Sequence, residues 1–91
     1  MLAFNVACEV LEIQRDEKEF TKDGKTERYT SVVLNCRTLE KPRQTFVARP
    51  SFGLDVPAVI VADVKVNMAI NDLRTEKNIT TARFTSVDLK A

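Results

Sequence analysis

Apolar residues recur at every second position along most of this chain, and the phase of that alternation slips twice. At the start, Leu2, Phe4, Val6, Cys8 and Val10 alternate with Ala3, Asn5, Ala7 and Glu9. A period of two puts alternate side chains on opposite faces of an extended backbone, so this is a strand with one buried face. After Val10 the phase flips: Leu11 and Ile13 are apolar, Glu12 and Gln14 polar. A one-residue slip predicts a β-bulge, which bends a strand and sharpens its twist. A long, bent strand can serve two parts of a small closed sheet. Near the other end the apolar positions move from Ala82 and Phe84 to Val87 and Leu89, which predicts a second bulge near Thr85.

Between these slips the punctuation is that of hairpins. Arg15 to Glu27 is polar except for Phe20, and its Asp23-Gly24 pair is a strong turn signal, because glycine accepts the positive φ such turns need. A strand follows from about Arg28 to Leu39, with Val32, Leu34 and Cys36 on one face and Tyr29, Ser31, Val33, Asn35 and Arg37 on the other. Glu40 to Arg43 is a turn, and Gln44 to Arg49 a third strand with Phe46 and Ala48 on one side. Pro50 ends it, having no N–H for a ladder. The connection PSFGLDVPA reads as a loop. One helical turn around Asp55 to Val61 is allowed, but the density of β-branched residues disfavours a longer helix. Val64 to Ile70 alternates as a fourth strand, Asn71 to Asn78 reads as a polar hairpin loop, and Ile79 to Leu89 as a fifth strand.

The expected fold is therefore all-β, a single domain over residues 1–91 with a protruding hairpin at about 15–28. A five-stranded antiparallel sheet this small must close on itself or leave exposed edges. A partly open five-stranded barrel of the oligonucleotide/oligosaccharide-binding (OB) type fits the strand count, the bent first strand and the long third connection. An SH3-like barrel is the competing architecture.

Several function classes lack the residues they need. The chain contains no histidine, which removes the commonest general base and every Ser-His or Cys-His pair. Cys8 and Cys36 make no CxxC and cannot complete a zinc site alone, so both read as buried free thiols. No phosphate loop or GxGxxG is present. The reading is of a protein without enzymatic activity, cofactor, metal or small-molecule substrate. No apolar run approaches the length of a membrane span, and the start MLAFNVACEV has no basic segment, so the expectation is a soluble, intracellular protein.

The net charge of +1 conceals a division: residues 15–49 hold nine Lys/Arg against six Asp/Glu, whereas residues 50–91 hold five of each. The basic excess falls on the expected hairpin and the strands after it. There Phe20, Lys22, Lys25, Arg28 and Tyr29 gather, with Arg37, Arg43, Arg49 and Phe52 further along. No acid is expected on the face shared by Arg37, Arg43 and Arg49. An aromatic ring stacks on any unpaired base, while Lys and Arg follow phosphates and release counterions. These nine residues are the candidate site for single-stranded nucleic acid. Six of them have a plainer reading, as a solubilising hairpin, a cross-strand Tyr29 and a Phe52 that plugs the barrel end, and Glu40 lies near enough to weaken Arg43.

The stretch FTKDGKTERYTSVVLNC resembles the basic, aromatic-bearing hairpin and second strand of the filamentous-phage gene V type helix-destabilising proteins, with its Gly-Lys followed by tyrosine. The later DVPAVIVADVKVNMAIND and the closing VDLKA resemble that family's last two strands. The resemblance implies an OB-type homodimer that coats single-stranded DNA without sequence preference during replication of a phage or mobile element, in the cytoplasm of a bacterial or phage-infected cell; the residues themselves do not separate DNA from RNA. It carries over Lys25, Arg28 and Tyr29 as DNA contacts. The chain departs from the pattern in having fewer tyrosines and in placing Thr26 and Glu27 between the lysine and Arg28-Tyr29. The alternative is a protein-interaction barrel acting as a small subunit, for which the apolar run Val56 to Val66 would supply an edge strand.

Overall fold

A computed structural model describes residues 4–90 of the chain. Its strands are β1 (Phe4–Lys22), β2 (Lys25–Thr38), β3 (Thr45–Pro50), β4 (Lys65–Glu76) and β5 (Ile79–Leu89), and no helix occurs among the described residues. Leu2 and Ala3 of the expected first strand lie outside that range. The long first strand has two partners: Phe4 to Glu9 pairs with β4, and Cys8 to Lys22 pairs with β2. The ring continues through β3 and β5 back to β4, so the sheet closes in the order β1-β2-β3-β5-β4.

The expectation of a purely antiparallel sheet is corrected here. β3 and β5 run parallel, with Val47 opposite Thr81 and Arg49 opposite Arg83. The long connection from Ser51 to Val64 makes this pairing reachable, and Ser51 N–H extends it by donating to the Phe84 carbonyl at 2.8 Å. That connection contains no helical turn and no strand. Val56 and Ile60 enter the core, while Val59 and Val61 face outward. The edge strand expected there is therefore absent.

Both phase slips are bulges. The β1–β2 register shifts between Val10 and Glu12, leaving Leu11 as the extra residue. Ser86 pairs with Ala69 and Phe84 with Ile70, so Thr85 is skipped, and its hydroxyl reaches the Ala69 carbonyl at 3.4 Å. Asn71 is skipped on the opposite strand, which lets β4 continue in pairing to Glu76. The polar loop expected over Asn71 to Asn78 is thus mostly strand, and only Lys77 and Asn78 turn.

The alternation delivers one core. Val32, Leu34 and Cys36 of β2, Phe46 and Ala48 of β3, Val66, Met68 and Ile70 of β4, and Ala82 and Phe84 of β5 are buried together with Cys8 and Val10. Phe4 keeps the inward phase but sits at the rim, 45% exposed. Both cysteines are free and buried. Hydrogen bonding with Cys8 and burial push the Cys36 thiol well above its ordinary range, which keeps it a small apolar residue.

Candidate functional site

The β1–β2 ribbon runs on past the barrel, and the molecule's long axis reaches 49 Å against 29 and 24 Å across. A free two-stranded ribbon is only marginally stable in water. Its turn is well chosen: Asp23 and Gly24 both have positive φ, 53° and 77°, as in a type I′ turn whose twist matches the strands. The Thr21 and Thr26 hydroxyls meet at 3.1 Å, and Arg28 bonds Glu19 at 2.9 Å. Phe20 and Tyr29 meet edge to face with centroids 5.7 Å apart, an arrangement worth about 0.5–1.5 kcal/mol beyond area burial. At the ribbon's base the Arg15 guanidinium donates to the carbonyls of Val56, Pro57 and Ile60 at 3.2, 3.0 and 3.1 Å. That clamp ties the hairpin to the loop that carries Phe52.

The register separates the charges of the ribbon by face. Lys18 is opposite Tyr29, Phe20 opposite Glu27, and Lys22 opposite Lys25, so these six share one face. The other face carries Glu17, Glu19, Thr21, Thr26 and Arg28. Three lysines and both rings thus lie together with Glu27 and, at the base, Asp16, while Glu17 and Glu19 lie behind them with Arg15 and Arg28. The aromatic face of the hairpin keeps a small basic excess, and the charges of the back balance.

β3 ends at Pro50 while β2 continues, and this difference opens a cleft of about 530 Å³. Arg28, Tyr29, Arg49, Phe52 and Arg83 line it, and Asp55 is its one acid. Phe52 is 96% exposed and plugs nothing. Arg49 and Arg83 are exposed, stand side by side in the parallel register, and form no ion pair among the described residues. Like charges directly opposite on neighbouring strands repel, and an anion between them would relieve that repulsion.

The nine sequence candidates divide accordingly. Arg28, Tyr29, Arg49 and Phe52 meet at the cleft, and Phe20, Lys22 and Lys25 extend from it along the basic face of the ribbon. Arg37 and Arg43 lie at the other end of β3, next to or just before Thr45, about 13 Å along the strand from Arg49. Arg37 bonds Glu9 at 2.8 Å, so an acid does share its face. Sequence reasoning missed Arg83, because only the parallel pairing brings β5 beside Arg49.

A membrane-crossing helix and a metal-binding cluster of side chains are both absent among the described residues. Comparison with protein-family models, curated proteins and solved structures finds no match to this chain.

Proposed function

We propose that this chain is an OB-type barrel that binds single-stranded DNA, without catalysis and largely without sequence preference, in the replication of a phage or mobile element. The observation that carries the reading is the unpaired Arg49–Arg83 couple in a cleft flanked by the exposed rings of Tyr29 and Phe52. Stacking needs bases whose faces are free, and a duplex hides them, so exposed rings beside guanidiniums favour a single strand. A phosphate between Arg49 and Arg83 removes their repulsion, and each guanidinium presents several donors in a planar fork suited to it. In barrels of this type the second and third strands and the two hairpin loops form the usual binding surface, and the cleft lies against both strands. RNA offers the same phosphates and base faces and is a second ligand of this surface.

The test is a fluorescence-anisotropy titration of a labelled oligothymidine of about 20 nucleotides, repeated at several salt concentrations. Binding that is tight at low salt and weakens steeply with salt is the expected result. Absence of binding at low salt would remove the reading.

A second reading is favoured by a separate observation. Phe4, Leu73, Leu11 and Ile79 are exposed around two apolar hollows of about 190 and 400 Å³ that both reach Phe46. Clustered exposed apolar residues mark association sites more often than scattered ones do. A second copy of the chain covering these hollows would give the homodimer, and would leave the arginine cleft open. Sedimentation equilibrium at high salt tests it: a monomer at all concentrations excludes the dimer.

A further inference from the structure

The arginine cleft does not end at Arg83. A second hollow, about 190 Å³, continues from it across the outside of β3, β5 and β4 and is lined by Arg49, Asp72, Arg74, Thr81, Ala82 and Arg83. The two hollows share Arg49 and Arg83, so they form one channel rather than two sites. The register explains the alignment. Arg83 lies between Arg49 on β3 and Asp72 on β4, and Arg74 is opposite Thr81. After the Asn71 bulge, the phase of β4 puts Asp72 and Arg74 on the same outer face as Arg83.

Three arginines and one aspartate leave this groove with a net charge of +2. Asp72 stands opposite Arg83, yet its carboxylate meets Arg74 Nε, at 3.3 Å. Arg74 is exposed, and a surface ion pair of this length is weak enough for a competing phosphate to displace it. In the opposite direction, up the outer face of β2, Arg37 is held by Glu9 in a shorter and less exposed pair, which a phosphate displaces less readily.

We infer that a bound single strand turns off the hairpin at the cleft, crosses the parallel β3–β5 seam, and is held by Arg83 and Arg74 on the outer face of the β4–β5 hairpin. This rests on the single-strand reading and fixes the path of the ligand within it. Arg83 bridges the two hollows and grips with Arg49. Arg74 exchanges Asp72 for a phosphodiester. Asp72 acts as a placeholder that keeps Arg74 extended over the groove in the free protein.

Salt-dependent titrations of the same oligothymidine with Arg83→Ala, Arg74→Ala, Arg37→Ala and Asp72→Asn test the path. Withdrawing one cation from a phosphate of a single strand lowers the slope of log affinity against log salt by about 0.7. The expected result is that drop for Arg83→Ala and for Arg74→Ala, an unchanged slope for Arg37→Ala, and severalfold tighter low-salt binding for Asp72→Asn. A slope that drops for Arg37→Ala and holds for Arg74→Ala and Arg83→Ala overturns the path while leaving single-strand binding intact. Failure of the wild-type protein to bind overturns the reading itself. In that case, tripolyphosphate titrated against the arginine Nε–H resonances decides the groove. Shifts confined to Arg49, Arg74 and Arg83 retain it as an anion channel, and no shift there removes it.

Discussion

The β1–β2 and β4–β5 hairpins of this barrel are built by the same device and carry different chemistry. Each ends in a two-residue turn with positive φ at both positions, Asp23-Gly24 at 53° and 77° and Lys77-Asn78 at 49° and 68°. Each is braced by a threonine pair with hydroxyls 3.1 Å apart, Thr21–Thr26 in one and Thr75–Thr80 in the other. In both, the threonines stand one residue pair inside the turn. The surfaces then diverge. The β1–β2 hairpin carries the Phe20–Tyr29 ring pair and three lysines on one face. The β4–β5 hairpin carries Leu73 towards an apolar hollow and Arg74 on the outside. The backbone device sets reach and rigidity. What each arm offers a ligand is decided by a few side chains placed by register.

The largest difference should appear on removing one apolar side chain from each arm. Tyr29→Ala is expected to weaken oligothymidine binding by about 1–3 kcal/mol, the worth of one stacked base. Phe52→Ala, across the cleft, should lose a similar amount. Leu73→Ala should leave that affinity unchanged and reduce self-association instead. Anisotropy titration and sedimentation read the two effects. Equal losses of DNA affinity at Tyr29 and Leu73 would break the division of labour between the hairpins.

Attachment also differs. Arg15 clamps the base of the first hairpin through its bonds to three carbonyls of the 56–60 loop, and the hydrogen-bonded side chains of the second hairpin include no such clamp. Arg15→Gln is expected to lower stability by about 2 kcal/mol in urea unfolding, since bonds from a charged donor are among the stronger ones. It should also weaken DNA binding at temperatures where the protein stays folded, because Phe52 loses its fixed position across from Tyr29. The salt slope should not change. A drop of about 0.7 would mean that Arg15 contacts a phosphate and does not act by positioning.

A smaller effect is expected from the ring pair within the first arm. Phe20→Ala removes an edge-to-face contact of about 0.5–1.5 kcal/mol on a ribbon with little else to stabilise it. Amide exchange should accelerate across residues 18–29 and stay unchanged across 72–80. Acceleration in both arms would show that the hairpins open together.

The same two arms show what is legible in the sequence. The first hairpin is visible because Asp23-Gly24 is a strong turn signal and apolar alternation resumes directly after it. The second reads as a loop over Asn71 to Asn78, because Lys77-Asn78 is a weaker signal and a strand outside the barrel needs no apolar face. The bulges at Leu11 and Thr85 are readable, since a bulge reverses the phase of a half-buried strand; the one at Asn71 is not, because β4 beyond it carries only Leu73 as an apolar marker. Neighbour relations are not. Arg37 reads as a free cation, whereas the β1–β2 register sets it opposite Glu9. Arg83 draws no attention in the sequence, whereas the parallel pairing sets it opposite Arg49. Periodicity reports which face a residue occupies. Which strand lies beside it depends on contacts distant in sequence, and those decide which cations remain available to a ligand.

The smallest expected change is also the most direct test of the shared device. Exchanging the tips, with Asp23→Lys and Gly24→Asn in one arm and Lys77→Asp and Asn78→Gly in the other, gives each turn the residue pair that the other already holds at positive φ. No atom lies within 4 Å of a Cβ built at Gly24, but its φ of 77° strains any L side chain, asparagine less than most. Stability should fall by no more than about 1 kcal/mol, below the roughly 1–2 kcal/mol that the left-handed region costs an ordinary L residue. Binding should still respond, because Asp23→Lys adds positive charge beside Lys22 and Lys25. Tighter low-salt binding and a steeper salt slope, with unfolding shifted by no more than that, would separate the charge of the tip from its geometry. A larger loss of stability, confined to the first arm, would mean that its turn depends on Asp23-Gly24 itself, and the likeness between the hairpins would then stop at their φ angles.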